Sequence, residues 1–322
     1  MESLISVGLG ILGLFFGGEW LVKGASRLAT SFGIPSFIIG LTIVSLGTSA
    51  PELVVSISAA LAGSSDVALG NVVGSNIANI GLILGLSGVI YPLLIHGQMV
   101  RREIPIMVSV SVIVFLFALD RQIDQLEGFL LLAGYVTFTV VLYRFTPRTP
   151  DEKAEVAEIR AEVEAIEDIK PPPAAIDPKR ESVRFVVGLI LLIIGAQLTV
   201  DGAIAIARTV GVSELIIGLT VVAIGTSLPE VVTSVVASLR KHSDLAVGNV
   251  VGSNIANLLV ILGVTAMIKP IPVADTLISL ELPVMMAFAV GIVPFVLDLK
   301  LERWQAFCFF VAYVGFIVLT IS

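Results

Sequence analysis

Ten apolar runs, each near the length of a membrane-spanning helix, are separated by short polar loops along the 322-residue chain. They lie at roughly 3–24, 35–61, 66–90, 104–119 and 127–144, then at 183–205, 213–239, 243–268, 280–297 and 303–321. Runs of this length predict helices, because the strands of a membrane barrel would be about ten residues long and would alternate in polarity. The pattern therefore predicts an all-α membrane protein with ten transmembrane helices, five in each half. Two runs in each half are polar where they ought to be greasy. The words are GTSAPE at Gly47–Glu52 and GNVVGSNIAN at Gly70–Asn79, then GTSLPE at Gly225–Glu230 and GNVVGSNIAN at Gly248–Asn257.

Every matching pair stands 178 positions apart, and from Ser36 to Gly85 31 of 50 residues are identical to the residue 178 later, without a gap. The chain is thus read as two five-helix transmembrane repeats, 1–144 and 179–322, joined by a linker at 145–178. An odd number of spans per repeat forces the halves into opposite orientations, which makes them inverted repeats. Charge gives an independent test. With the N-terminus outside, the inner loops hold sixteen of the nineteen Lys and Arg residues, and only Arg121, Arg208 and Lys269 fall outside, a positive-inside bias. Ala62–Asp66 reads AGSSD where its counterpart Arg240–Asp244 reads RKHSD, so one unit has been adapted to two sides of a membrane. The expectation is a multi-pass cell-membrane protein with both termini outside and a cytoplasmic linker. The first run lacks a positive n-region and a small-residue cleavage site, so it reads as a permanent helix.

A hydrophobic fraction of 56%, only 14% charged residues and a mean hydropathy of +1.02 place the chain in lipid. The net charge of -7 resides largely in the linker and implies no nucleic-acid partner. One cysteine, Cys308, excludes a disulfide framework and any cysteine-based metal site; it is expected to be a buried small hydrophobe. Within the linker, Thr149, Pro150, Asp151 and Glu152 read as a helix start with a capping box. Val156, Ile159, Val163, Ile166 and Ile169 follow as one apolar stripe, and Pro171–Pro173 ends it. This predicts a short acidic amphipathic helix on the cytoplasmic face.

Candidate chemistry sits at the polar words. Pro51 lacks an N–H and clashes with the carbonyl of Gly47, so the second span must kink or unwind. Irregular backbone inside a membrane survives only where it lines protein or a water cavity. Glu52 follows at once, with Thr48 one turn before it and Ser49 adjacent. In the third span Asn71, Ser75 and Asn79 form a stripe at i, i+4 and i+8, and Gly70 and Gly74 form a G-x-x-x-G pair for close helix approach. The second half repeats all of this with Thr226, Ser227, Pro229 and Glu230, then Asn249, Ser253 and Asn257, and Gly248 and Gly252. Hydroxyls and amides in membrane helices can be plain packing glue. Two symmetric carboxylates beside symmetric prolines are hard to explain as packing, because each ionisable group at the bilayer centre costs at least about 2.5 kcal/mol. Inverted-repeat transporters place substrate ions between their repeats at the midplane. The inventory there is carboxylate, hydroxyl, amide and carbonyl oxygen, which suits Ca²⁺ and Na⁺.

At these residues the sequence resembles the calcium/cation antiporter superfamily, and within it the sodium/calcium exchangers. The resemblance spans both membrane halves. It implies ten helices, with the second, third, seventh and eighth surrounding the ion sites and the first and sixth sliding across them to alternate access. It further implies that Glu52 and Glu230 ligate Ca²⁺ and Na⁺. Thr48, Ser49, Thr226 and Ser227, with the main-chain oxygens of Ser45 and Ala223, would complete the sodium sites, and Ser75, Ser253, Asn79 and Asn257 would contribute from the third and eighth helices. Some relatives carry Asp where this chain has Asn257, which bears on stoichiometry and argues against potassium dependence. The implied function is antiport of Na⁺ against Ca²⁺ across lipid without a cofactor; a monomer is compatible with this, and the sequence does not set the oligomeric state. Ca²⁺/H⁺ antiport through the same glutamates is the alternative and a passive cation channel a further one; no Ser/His pair, suitable Asp pair or zinc set supports an enzyme. Other charged groups read as interfacial: Glu19 within reach of Lys23, Glu103 and Glu281 at helix starts, Asp120 and Asp298 at helix ends, with His96 and His242 in loops.

Overall fold

The computed structural model describes residues 2–145, 177–209 and 223–321. The expected linker helix at 150–169 and the first part of the seventh run lie outside them. The described chain forms α1 (Glu2–Phe32), α2 (Ser36–Thr48), α3 (Ala50–Leu61), α4 (Ser65–Ile90), strand β1 (Leu93–Leu94), α5 (Ile104–Ala118), β2 (Gln122–Ile123) and α6 (Gln125–Phe145). After the linker come α7 (Pro178–Thr209), α8 (Ala223–Thr226), α9 (Leu228–Leu239), α10 (Ser243–Ile268), β3 (Ile271–Pro272), α11 (Leu277–Val296), β4 (Lys300–Leu301) and α12 (Arg303–Ile321).

Among the described residues, seven helices are long and apolar enough to cross a membrane, or eight if the α2–α3 pair, bent by 44°, is one span. The count differs from ten for a physical reason. A span needs about 20 residues, whereas α5 has 15 and is preceded by a π-helical turn at Met99–Glu103, and α9 has 12 described residues. Helix ends also differ from the apolar runs. α1 covers 31 residues and α7 covers 32, about 45–50 Å at 1.5 Å per residue, more than the roughly 30 Å of hydrocarbon, so both extend past the membrane core.

α4 and α10 form the centre: 72% and 78% of their apolar windows are buried, against 17% for α12. They hold the two copies of GNVVGSNIAN. Cys308 on α12 is exposed, a correction to its expected burial, because α12 turns most of its surface outward and the outward solvent here is lipid.

α1 and α7 pack antiparallel along their length through glycines spaced by seven, Gly10, Gly17 and Gly24 against Gly188, Gly195 and Gly202. A Cβ on Gly17 would lie 2.7 Å from the Leu192 nitrogen, and one on Gly188 would lie 2.5 Å from the Leu21 nitrogen. Small residues let membrane helices meet backbone to backbone. Both ends are fastened: Ser6 donates to the Leu198 carbonyl at 2.8 Å, and Arg27 meets the buried Glu181 at 3.1 Å. Glu181 also pairs with Arg184.

Two small antiparallel ladders join the halves. Leu93 pairs with Leu301 and Leu94 with Lys300 in β1–β4, while Gln122 pairs with Pro272 and Ile123 with Ile271 in β2–β3. Shifting each residue to its repeat counterpart turns one ladder into the other. Glu19, expected beside Lys23, instead accepts two hydrogen bonds from Arg240 at 2.6 and 2.9 Å, tying α1 to the end of α9. Glu103 is fully buried and paired with Arg102, so it is no simple interfacial cap; the helical backbone begins a turn earlier, at Met99.

Candidate cation site

The two copies of GTS-x-PE build the same break twice. At Ser49 the backbone leaves helical geometry, with φ -82° and ψ 8°, and at Ser227 it does so with φ -87° and ψ 5°. Each proline then takes a first-turn position in the next helix, where a missing N–H costs nothing. Glu52 and Glu230 follow in the first turns of α3 and α9, where the helix dipole favours a carboxylate.

Both carboxylates are buried, each 1% exposed. Their hydrogen bonds cross between the halves: Ser49 donates to Glu230 Oε1 at 2.8 Å, and Ser227 donates to Glu52 Oε1 at 3.0 Å. The second oxygen of each, Oε2, has no hydrogen-bond partner among the described residues. A buried charged oxygen without a partner is costly. Here two such oxygens come from carboxylates that each share a hydroxyl from the other's helix break.

Further free oxygens lie on α4 and α10. Asn79 Oδ1, Asn257 Oδ1 and Ser253 Oγ are buried without a partner among the described residues. Asn79 and Asn257 each open a π-helical turn, Asn79–Leu84 and Asn257–Ile261, a local widening that shifts the regular helix ladder and is frequent at functional sites. Ser75 is buried on α4, one turn before Asn79.

The remaining sequence candidates sit around this core. The single Thr48 hydroxyl proton has two alternative acceptors, the Ser45 carbonyl at 3.3 Å and Asn249 Oδ1 at 3.4 Å. That carbonyl also accepts the Ser49 N–H at 3.0 Å, and the Ser45 hydroxyl turns back onto Leu41 and Thr42. Ser45 as a main-chain ligand therefore needs the Thr48 hydroxyl to swing away. Thr226 is half-buried in α8, and Ala223 opens that helix. Asn71 and Asn249 are struts. Asn71 donates to Ser56 at 2.9 Å and to the Glu52 carbonyl at 3.2 Å, and Asn249 donates to Ser234 at 3.0 Å, which fastens α3 to α4 and α9 to α10.

Sequence reading passed over Asn76 and Asn254. They stand one residue outside the i, i+4, i+8 stripe, yet Asn79 donates its amide to Asn254 Oδ1 at 3.1 Å. Their presence in both copies of the decapeptide was the available signal. The expected close approach at Gly70 and Gly74 is absent among the described residues, where nothing lies within 4 Å of a Cβ at either. Gly248 and Gly252, by contrast, pack on Phe37 and Leu41, where an added Cβ would lie 2.7 Å from the Phe37 carbonyl oxygen and 2.6 Å from the Leu41 Cα. The residues corresponding to Phe37 and Leu41 are 215 and 219, outside the described ones.

A buried cluster of carboxylate, hydroxyl and amide oxygens, set at paired helix breaks in an apolar helical protein, defines a membrane protein of the cation-transporting class. Residues 2–144 and 182–322 match the sodium/calcium exchanger protein family, and the chain belongs to it, within the calcium/cation antiporter superfamily. CaxA of Alkalimonas amylolytica is 37% identical over all of this chain and 99% of its own. The sodium/calcium exchanger MaX1 of Methanosarcina acetivorans is 32% identical, covering 96% of each. Among solved structures, the sodium-calcium exchanger NCX_Mj soaked with Na⁺ and Sr²⁺ is similar at 29% identity, with a TM-score of 0.84 and 98% of each chain covered.

Proposed function

We propose that this chain exchanges Na⁺ for Ca²⁺ by alternating access and normally extrudes Ca²⁺. The observation that carries the reading is the crossed pair of carboxylates, each with one oxygen held by a serine of the other half and the other without a partner among the described residues. Two negative charges balance one divalent ion, or are shared by monovalent ions competing for the same oxygens, and that competition is what couples the fluxes. Glu52 and Glu230 are the central ligands. Ser49, Ser227, Thr48, Thr226, Ser75, Ser253, Asn79 and Asn257 supply side-chain oxygens, and Ser45 and Ala223 supply main-chain oxygens.

The architecture that goes with this is ten spans in two inverted five-helix repeats, 1–144 and 179–322. The bent α2–α3 pair, α5 with its π turn, and the seventh run, of which α8 and α9 are the described part, complete the count. Both termini lie outside and the 145–178 linker is cytoplasmic. The interchange of the two strand ladders under the repeat shift supports the twofold relation. β1 and β4 then fall on the cytoplasmic side and β2 and β3 outside, in agreement with the basic loops. Glycine-packed α1 and α7 are the pair that slides to expose the site alternately.

The test is uptake of radioactive Ca²⁺ by proteoliposomes loaded with Na⁺ and diluted into Na⁺-free buffer, compared with uptake driven by a pH gradient. Uptake that requires the Na⁺ gradient supports the exchanger. Uptake driven by the pH gradient alone would make the glutamates proton carriers, and uptake with neither gradient would indicate a channel.

A further inference from the structure

Asn76 and Asn254 are the same residue of the same decapeptide, 178 positions apart, and both are buried. The structure gives them different partners. Asn76 donates its amide to the Val72 carbonyl of its own helix at 2.7 Å, and its Oδ1 has no partner among the described residues. Asn254 instead reaches out of α10: its amide donates to Met107 Sδ on α5 at 3.4 Å, and its Oδ1 accepts the Asn79 amide from α4 at 3.1 Å.

A carboxamide can present either a donor or an acceptor, and only the oxygen binds a cation. Once the Asn79 nitrogen is committed to Asn254, the Asn79 oxygen must point the other way, and it is one of the buried oxygens without a partner. Asn257, the repeat counterpart of Asn79, has a free buried oxygen too, but the corresponding acceptor, Asn76 Oδ1, makes no bond to it. The two carboxamides of the site are therefore not equivalent.

We propose that Asn254 is a positioning residue for ion binding: it orients the Asn79 carboxamide with its oxygen toward the ions, while Asn76 has no such role toward Asn257. The proposal rests on the site assigned above. Ligands held in a productive rotamer by a second layer of hydrogen bonds bind more tightly because less ordering remains for the ion to impose. The asymmetry also makes the half-site around Asn79 the more rigid one.

The experiment is calorimetric titration of Ca²⁺ into the purified full-length protein in detergent, in Na⁺-free buffer. Asn254→Ala is expected to raise Kd on the order of tenfold, and Asn254→Asp, which retains the acceptor oxygen, to stay within about threefold of the parent. Asn76→Ala should also stay within about threefold. Because Asn254 acts through Asn79, the double variant Asn79→Ala/Asn254→Ala should bind no more weakly than Asn79→Ala alone. Additive losses in the double variant, an equal loss in Asn76→Ala, or an unchanged Kd in Asn254→Ala would each overturn the proposal. Should Asn254→Ala not fold, Asn254→Ser, too short to reach Asn79, carries the same expectation. Glu230→Gln separates the two readings: if it binds Ca²⁺ normally, the site itself is wrong. If it abolishes binding while Asn254→Ala does not weaken it, only the positioning role fails.

Discussion

Ser49 and Glu230 lie 181 positions apart in the chain and share a 2.8 Å hydrogen bond in the core. The reciprocal bond from Ser227 to Glu52 makes the arrangement two-sided. Each half supplies the hydroxyl that fixes the other half's carboxylate, so neither half contains a finished site.

Neutralising either carboxylate tests the centre. Glu52→Gln or Glu230→Gln should leave a folded, monodisperse protein and remove Na⁺-dependent Ca²⁺ uptake to background, read in proteoliposomes. Near-normal flux in both variants would sink the assignment.

The crossed serines should matter less than the glutamates but in the same direction. Hydrogen bonds to charged groups contribute roughly 1.5–3 kcal/mol. Ser49→Ala and Ser227→Ala are accordingly expected to weaken Ca²⁺ binding by about 10- to 100-fold, and the two changes should give similar losses. A large effect from one and none from the other would show that the two bonds are not equivalent in solution.

Glycine packing between α1 and α7 predicts intolerance of any side chain. A Cβ on Gly195 would meet the Leu14 nitrogen at 2.7 Å and the Gly10 carbonyl at 2.8 Å, both backbone atoms that cannot swing aside. Gly195→Ala should lower the Tm by an amount corresponding to roughly 1–3 kcal/mol. Gly8→Ala, where nothing lies within 4 Å, should be neutral or slightly stabilising. Equal Tm values for the two variants would count against the packing.

Arg240 and Glu19 link α1 to α9 near one end of the bundle. The counterpart positions are Ala62 and Gln197, and Gln197 bonds Asp201 on its own helix. Since Arg240 is 58% exposed, Arg240→Ala should change stability by less than about 1 kcal/mol. If α1 and α7 slide, that small bias should still move the inward–outward balance by up to roughly fivefold. Labelling of single engineered cysteines on the two sides measures this, after replacement of the exposed Cys308. Identical labelling patterns with and without Arg240 would exclude the contact as a conformational bias.

What the sequence made legible was whatever depends on local chemistry. Pro51 and Pro229 announced the breaks, and the structure bends the chain one or two residues before each. Partners were a different matter. Asn76 and Asn254 occupy the same place in the same decapeptide, yet Asn76 bonds its own helix while Asn254 bonds Asn79 and Met107 on other helices. The glycines that do fasten two helices over their whole length lie in α1 and α7, spaced by seven and hidden among other small residues. Glu19 has Lys23 one turn away but bonds across to Arg240, whose planar fork offers two donors to one carboxylate where a lysine offers a single point charge. The apolar runs also understated α1, whose last turns carry Ser26 and Arg27 and hold Glu181 beyond the greasy stretch.

The two strand ladders have a mechanical meaning. They stitch the loop between α4 and α5 to the one between α11 and α12, and the loop between α5 and α6 to the one between α10 and α11. Six helices are thereby laced into a braced frame, with a crosspiece at each end. Helices α1 and α7 stand outside this lacing, bound to one another by glycine packing and to the end of α9 by the Arg240–Glu19 pair, so under the proposed alternating access they are the carriage and the laced helices the chassis.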